Sequence, residues 1–251
     1  MKKEALVMSM DFAKNHFNEN NMAKKKTVAI IGATGDMGSA IAMSLVNRNY
    51  RLLLMSRDEN KLAKLLADIN RKNPATEVAT IECEKEACRE ADIILLAVPY
   101  KVESEVAETI REVTTQKVVI DVANPLNESY NHLITGPNTS AAEELQKLLP
   151  NSKVVKALNT IFATDLTQAI KESKQIKTFI AGDDQEALQT VSDMITAMGL
   201  NPVLYGGLTA ARKLEQMVLQ LIELKTEENY NNIIGQNMHR HLPITFKSVI
   251  R

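Results

Sequence analysis

The chain has 251 residues, 45% of them apolar, and its 30 basic residues are balanced by 31 acidic ones, for a net charge of −1. That balance, with no Trp and 4% aromatics, argues against a nucleic-acid partner or a membrane surface. Cys83 and Cys88 provide neither a disulfide framework nor the CxxC spacing of a redox or zinc site, and no run approaches the ~20 apolar residues of a membrane span. The composition therefore leads us to expect reduced thiols, a cytoplasmic setting and no metal site.

Residues 1–25 read as a flexible N-terminal extension, because the apolar patch ALVMSM is shorter than a secretory h-region. From Thr27 short apolar runs recur, at 27–31, 51–55, 77–81, 92–98, 117–122, 153–158, 177–182 and 202–206. Continuous runs of this kind fit parallel strands buried on both faces. Helical patterns alternate with them at 37–49, 60–71, 102–113, 141–148, 165–173 and 185–198. This alternation predicts an α/β fold, a doubly wound and mostly parallel sheet of the Rossmann type. Its domain spans 26–206; a C-terminal helix (208–226) and a polar tail fill 207–251. The segment ECEKEACREAD, with Glu82, Glu84 and Glu86, reads as a charged, solvated surface stretch.

The first strand runs into Gly32-Ala33-Thr34-Gly35-Asp36-Met37-Gly38 and then a helix of small and apolar residues. In this architecture the first βα turn faces the binding crevice. Gly32 permits the tight turn, Gly35 lets a pyrophosphate approach the backbone, and Gly38 lets the helix pack closely. A strand before the glycines and a helix after them is the context that makes such a cluster a dinucleotide site. No Gly-Lys-Ser/Thr follows, so it is not a P-loop. At the end of the second strand, NAD-specific proteins place a carboxylate for the ribose hydroxyls, about 20 residues past the glycines. Here Ser56 and Arg57 occupy that place, and a hydroxyl beside a guanidinium suits a 2′-phosphate. Asp58, the competing ribose ligand, is better placed to cap the next helix. The reading is NADP rather than NAD.

IIGATGDMG, MSRDENK, LLAVPY, VVKALNTIFA, TFIAGDD and YGGLTAARKLEQM occur in an order that resembles the coenzyme F-420-dependent NADP reductases. These are one branch of a family of small NADP oxidoreductases that includes the cytosolic domains of six-transmembrane metalloreductases. The resemblance spans about residues 26–224. It implies cofactor contacts at Gly32, Thr34, Gly35, Asp36, Met37, Ser56 and Arg57, then at Val98, Pro99 and Tyr100, and at Asn124 and Pro125. It also implies direct hydride transfer between nicotinamide and a second ring, a deazaflavin or a flavin. KALNTIFA reads as the nicotinamide floor, through Ala157, Asn159 and Thr160, with Ile161 and Phe162 able to cover a ring face. Asn159 and Thr160 also suit a helix cap. Deazaflavin reductases carry His at the position of Asn159 and Pro at that of Phe162, a departure that bears on the acceptor and not on the NADP site.

No Tyr has Lys four residues on, so the Tyr-Lys pair of short-chain dehydrogenases is absent, and too little chain follows Gly207 for a separate helical substrate domain. His132 is the one histidine considered for catalysis, with a plain loop residue the simpler reading; no catalytic residue is assigned. His239 and His241 have no partner at ligand spacing. Hydride transfer to a redox ring needs alignment more than a side-chain acid, whereas a carbonyl or imine needs a proton donor. The expected function is therefore an NADP(H) oxidoreductase with a small-molecule redox acceptor. A carbonyl or imine reductase and a non-catalytic NADP(H) sensor are the alternatives. The stripe on 208–226 fits packing on its own sheet or a homodimer, with Arg212 and Glu215 paired on that helix.

Overall fold

The computed structural model describes residues 25–237. The N-terminal extension before Lys25, His239 and His241 lie outside the described residues. The element order is β1 (Lys26–Ile31), α1 (Asp36–Leu45), β2 (Tyr50–Met55), α2 (Glu59–Lys72), β3 (Val78–Thr80), α3 (Glu84–Glu90), β4 (Ile93–Leu96), α4 (Tyr100–Ile110), β5 (Val118–Asp121), α5 (Ala141–Leu148), β6 (Lys153–Ala157), α6 (Ala163–Glu172), β7 (Lys177–Gly182), α7 (Gln185–Ala197), β8 (Asn201–Gly206) and α8 (Ala211–Asn237). The eight strands form one sheet in the order β3-β2-β1-β4-β5-β6-β7-β8. Order reverses between β1 and β4, which puts the crevice beside the β1–α1 turn.

All neighbouring strands run parallel except β6 and β7, which pair antiparallel through Val155–Gly182, Lys156–Ala181 and Ala157–Ile180. β1 shows why its apolar run has no alternation: Val28 and Ile30 pack toward α1, α2, α6 and α7, while Ala29 and Ile31 pack toward α3, α4 and α5. One sequence expectation is corrected in part. Glu82, Glu86, Arg89 and Glu90 are exposed as expected, but residues 84–90 form helix α3, with Ala87 and Cys88 fully buried. Its buried face is made of small residues on seven helical positions, too short a stretch for periodicity to reveal. Lys117 Nζ closes its C-terminal end, donating to the carbonyls of Cys88 (2.7 Å), Arg89 (2.6 Å) and Ala91 (2.8 Å). Burial pushes the Cys88 thiol up to about 12, so it is an inert packing residue.

The pairing expected on the last helix is also corrected. Arg212 makes a two-bond fork on Glu143 of α5, at 2.8 and 2.6 Å. Glu215 instead enters the protein. It meets Lys156, whose side chain is 0% exposed at the carboxyl end of β6. Lys156 Nζ donates to Asp121 Oδ2 (2.8 Å) and to the Ala123 carbonyl (2.5 Å), and lies 2.8 Å from Glu215 Oε1. Glu215 Oε2 accepts from the Ala141 N–H at the start of α5 (3.2 Å). Burial alone would strip the proton from Lys156, but the Asp121 and Glu215 carboxylates outweigh it and hold the ammonium charged. Glu103 of α4, 4% exposed, completes the group. Burial, then the Asp121 carboxylate, push its carboxyl up to about 10 against the pull of Lys156. It is therefore protonated at neutral pH.

The proton on Glu103 makes stability depend on pH. Between an ordinary glutamate pKa and about 10 the folded state holds a proton that the unfolded state has lost, so stability falls as pH rises through that window. Glu103→Gln keeps a neutral donor without that linkage. In urea melts at pH 5, 7 and 9, the variant should gain on the wild type as pH rises, by up to about 1.4 kcal/mol per pH unit. A constant difference across the three would contradict a protonated Glu103.

Candidate functional site

The β1–α1 turn is fastened to its neighbours by backbone. Gly32 N–H and Ala33 N–H both donate to the Met55 carbonyl at the end of β2, at 3.0 and 2.9 Å. Gly32 has φ +84°, and a Cβ there would lie 2.4 Å from the Ala97 carbonyl oxygen beyond β4. At Gly38 a Cβ would lie 2.3 Å from the Gly32 carbonyl oxygen, so this glycine serves contact between helix and turn. Gly35 differs: the nearest atom to a Cβ is 3.4 Å away, and the residue is exposed. The fold leaves room at Gly35, on the side from which a ligand would come.

Gly35 is also the N-cap of α1 and provides no side-chain acceptor. By contrast, Asp58 caps α2 by accepting from Lys61 N–H, Ser140 caps α5 and Asp184 caps α7. The first-turn amides of Asp36, Met37 and Gly38 therefore face the crevice at the positive end of a helix dipole, the standard setting for a phosphate. Asp36 brings a carboxylate to the same turn, so what it offers a phosphate is its N–H.

The end of β2 arranges the next group. Ser56 Oγ lies 2.5 Å from Thr34 Oγ1, joining the turn to the β2 end, and accepts from the Asp58 N–H at 3.3 Å. Arg57 is exposed, and among the described residues no carboxylate lies within 4 Å of its guanidinium. Its charge is felt by Glu84, whose carboxyl burial raises, followed by Glu105, while Arg57 lowers it. The Asp58 carboxylate is occupied by the Lys61 N–H (3.0 Å) and the Lys61 ammonium (3.2 Å). Two hydroxyls and an unpaired guanidinium thus stand together, and the carboxylate that would recognise ribose hydroxyls is engaged elsewhere.

The loops after β4, β5 and β6 line the rest. Val98 is half-buried beside the Gly32 turn and Pro99 starts α4. The Tyr100 hydroxyl donates to Glu144 Oε2 (2.5 Å), and burial, then Glu144, raise its pKa, so it is committed to α5. Asn124 and Asn159 are paired reciprocally: Asn124 Nδ2 donates to the Asn159 carbonyl (3.0 Å) and Asn159 Nδ2 to Asn124 Oδ1 (2.9 Å). Pro125 is buried next to them, and its carbonyl accepts from Ile134 N–H at 2.7 Å. Ala157 ends β6 fully buried, and Leu158 after it is held at φ +62°. Neither Asn159 nor Thr160 caps α6; Phe162 holds that position, and Lys225 Nζ sits 4.2 Å above its ring centre. A cavity of about 1350 Å³ opens here, bounded by Met37, Asn124, Leu158, Asn159, Phe162 and, from α8, Val218 and Ile222. His132 is exposed on the loop after β5, in contact with Asn131, and does not line this cavity.

The sequence reading missed Asp121, Lys156, Glu103 and the buried role of Glu215. A usable signal existed for Glu215, which falls on the apolar stripe of its helix; Asp121 and Lys156 carried none, because their runs also contain Lys117 and Lys153.

Comparison with known proteins matches this arrangement. Residues 27–125 match the model of a family described as NADP oxidoreductase, coenzyme F420-dependent. Metalloreductase STEAP3 of Rattus norvegicus is 31% identical over 196 residues, 78% of this chain, but the chain spans only 37% of that protein. The F420-dependent NADP reductase of Methanocaldococcus jannaschii is 29% identical over 206 residues, covering 78% of this chain and 91% of the relative. A crystal structure from Arthrobacter sp. FB24, described as a candidate F420-dependent NADP reductase, superposes with a TM-score of 0.69 at 23% identity. It covers 82% of this chain and 95% of its own, and shows the shared fold. Among the described residues no helix is long and apolar enough to cross a membrane. Over residues 27–125, which hold the turn and the β2 end, the chain is similar to the coenzyme F420-dependent NADP oxidoreductases.

Proposed function

We propose that this chain binds NADP(H) across the carboxyl ends of β1, β2, β4, β5 and β6 and passes its hydride to a second redox ring, a deazaflavin or a flavin. The observation that carries the NADP(H) half is the pairing of an uncapped α1 N-terminus with Thr34, Ser56 and the unpaired Arg57 at the end of β2. The amides of Asp36, Met37 and Gly38 hold the pyrophosphate. Thr34, Ser56 and Arg57 hold the 2′-phosphate, which needs hydroxyl donors and a positive charge. When bound, the cofactor supplies the hydride at its nicotinamide ring.

The chain's own residues align and exclude water. Leu158, Ile161, Phe162, Val218 and Ile222 give the cavity an apolar wall, and Asn124 with Asn159 gives it one polar edge. The cavity volume of about 1350 Å³ accommodates a nicotinamide and a second ring system together. The Tyr100 phenol is committed to Glu144, and His132 does not line the cavity. This favours an acceptor that takes hydride without a dedicated side-chain acid over a carbonyl or imine. In the same reading the protein is cytoplasmic, residues 1–25 are an appendage to the nucleotide domain, and the half-buried stripe of α8 pairs two copies.

Two experiments test this. Arg57→Ala should weaken NADPH binding by about tenfold or more while changing NADH binding little, as read by fluorescence titration. Equal losses for both would remove the 2′-phosphate assignment. Purified protein should oxidise NADPH in the presence of at least one of coenzyme F420, FMN and riboflavin. Tight NADPH binding with no turnover on that panel would favour a sensor or a different substrate.

A further inference from the structure

Asn159 is 5% exposed, lines the cavity, and has an amide oxygen with no hydrogen-bond partner among the described residues. Its orientation is fixed by chemistry. Nδ2 donates both to Asn124 Oδ1 (2.9 Å) and to the Leu214 carbonyl (3.2 Å), and the second partner can only accept. Asn124 cannot reverse either, because its own Nδ2 is needed by the Asn159 carbonyl (3.0 Å). The atom left over is therefore an acceptor. An unpaired buried acceptor is costly, and the residue before it, Leu158, carries a second cost in its left-handed backbone at φ +62°. Two such features side by side mark a position held for a ligand.

What holds it is a closed ring of interactions. Lys156 Nζ grips the Ala123 carbonyl (2.5 Å), and Asp121 Oδ1 accepts from the Ala123 N–H (2.8 Å), which fixes the residue before Asn124 from both ends. Asn124 is locked to Asn159, Asn159 to Leu214, and Glu215, the next residue of α8, returns to Lys156. The ring ties the ends of β5 and β6 to the first turns of α8.

We propose that Asn159 Oδ1 accepts a hydrogen bond from the carboxamide N–H of the bound nicotinamide, and that Lys156 is the positioning residue that holds this acceptor in place. The proposal rests on the NADP(H) reading above. Asn159 thereby makes the site specific for a carboxamide at the ring's 3-position, where an acetyl group of the same shape has a methyl in place of the donor.

The test needs no variant to begin. Dissociation constants of the wild-type protein are measured for NADPH, for the reduced 3-acetylpyridine analogue of NADP, and for adenosine 2′,5′-bisphosphate, which lacks the nicotinamide. The analogue should bind about tenfold more weakly than NADPH. In Asn159→Leu the two should come within about twofold of each other, with the bisphosphate affinity unchanged. Lys156→Met should shrink the same ratio without altering bisphosphate binding. Loss of that ammonium strands two buried carboxylates and can unfold the protein, so Glu215→Gln, which removes one charge and keeps the shape, is the companion variant. Analogue and NADPH binding equally to the wild type, or discrimination surviving in Asn159→Leu, would overturn the proposal while leaving the NADP(H) reading intact. Failure of the wild type to bind either NADPH or the bisphosphate would instead overturn that reading, and the proposal with it.

Discussion

A single buried ammonium organises the part of this protein where chemistry is expected. Lys156 brings together the carboxylate of Asp121 from β5, the carboxylate of Glu215 from α8 and the carbonyl of Ala123, with no solvent access to its side chain. Charges buried in this way are not a cheap source of stability, because their desolvation offsets most of the attraction. Removing one partner, however, costs roughly 3–5 kcal/mol. Such a cluster tolerates one geometry. Strands β5 and β6 must end level with each other, and α8 must present Glu215 to them, or a charge is left without a partner. The protonated Glu103 carboxyl from α4 adds a fourth element to the same constraint.

The remainder of the site follows from that geometry and from the sheet. Parallel strands order their carboxyl ends along one edge, and the reversal between β1 and β4 opens the crevice there. At one end of the crevice the Met55 carbonyl pins the glycine turn, and the Thr34–Ser56 contact joins that turn to the end of β2, beside Arg57. At the other end the Asn124–Asn159 pair presents a polar edge to an otherwise apolar cavity. In the proposed function, charge recognition and ring alignment are separated along the sheet edge. Backbone groups dominate at the first end, and the buried ionic ring supports the second.

Much of this was legible in the chain because it is local. Gly32, Gly35 and Gly38 announce their turn through immediate neighbours, and Ser56–Arg57 is read from its place at a strand end. The eight strand runs are apolar enough to be placed within one or two residues of where they form. What was not legible depends on partners distant in sequence. Strand direction is not written in composition, so β7 pairing antiparallel with β6 could not be read from KTFIAG. Helix α3 buries only small residues and hides among charges. Lys156 and Asp121 are 35 residues apart, and nothing local distinguishes the lysine from a solvated strand residue until the antiparallel β7 and the first turns of α8 close over it. Comparison with relatives adds a similarity to NADP oxidoreductases over residues 27–125, and leaves the acceptor to experiment.

The central claim is that the turn at Gly32–Gly38 and the Ser56–Arg57 pair form one site for a dinucleotide bearing a 2′-phosphate. Calorimetric titration of the wild-type protein with NADPH and with NADH, at one salt concentration, tests it most directly. The account predicts saturable binding of one NADPH per chain, at least about tenfold tighter than NADH. Equal affinities would contradict the phosphate selection, and no binding of either would contradict the site itself.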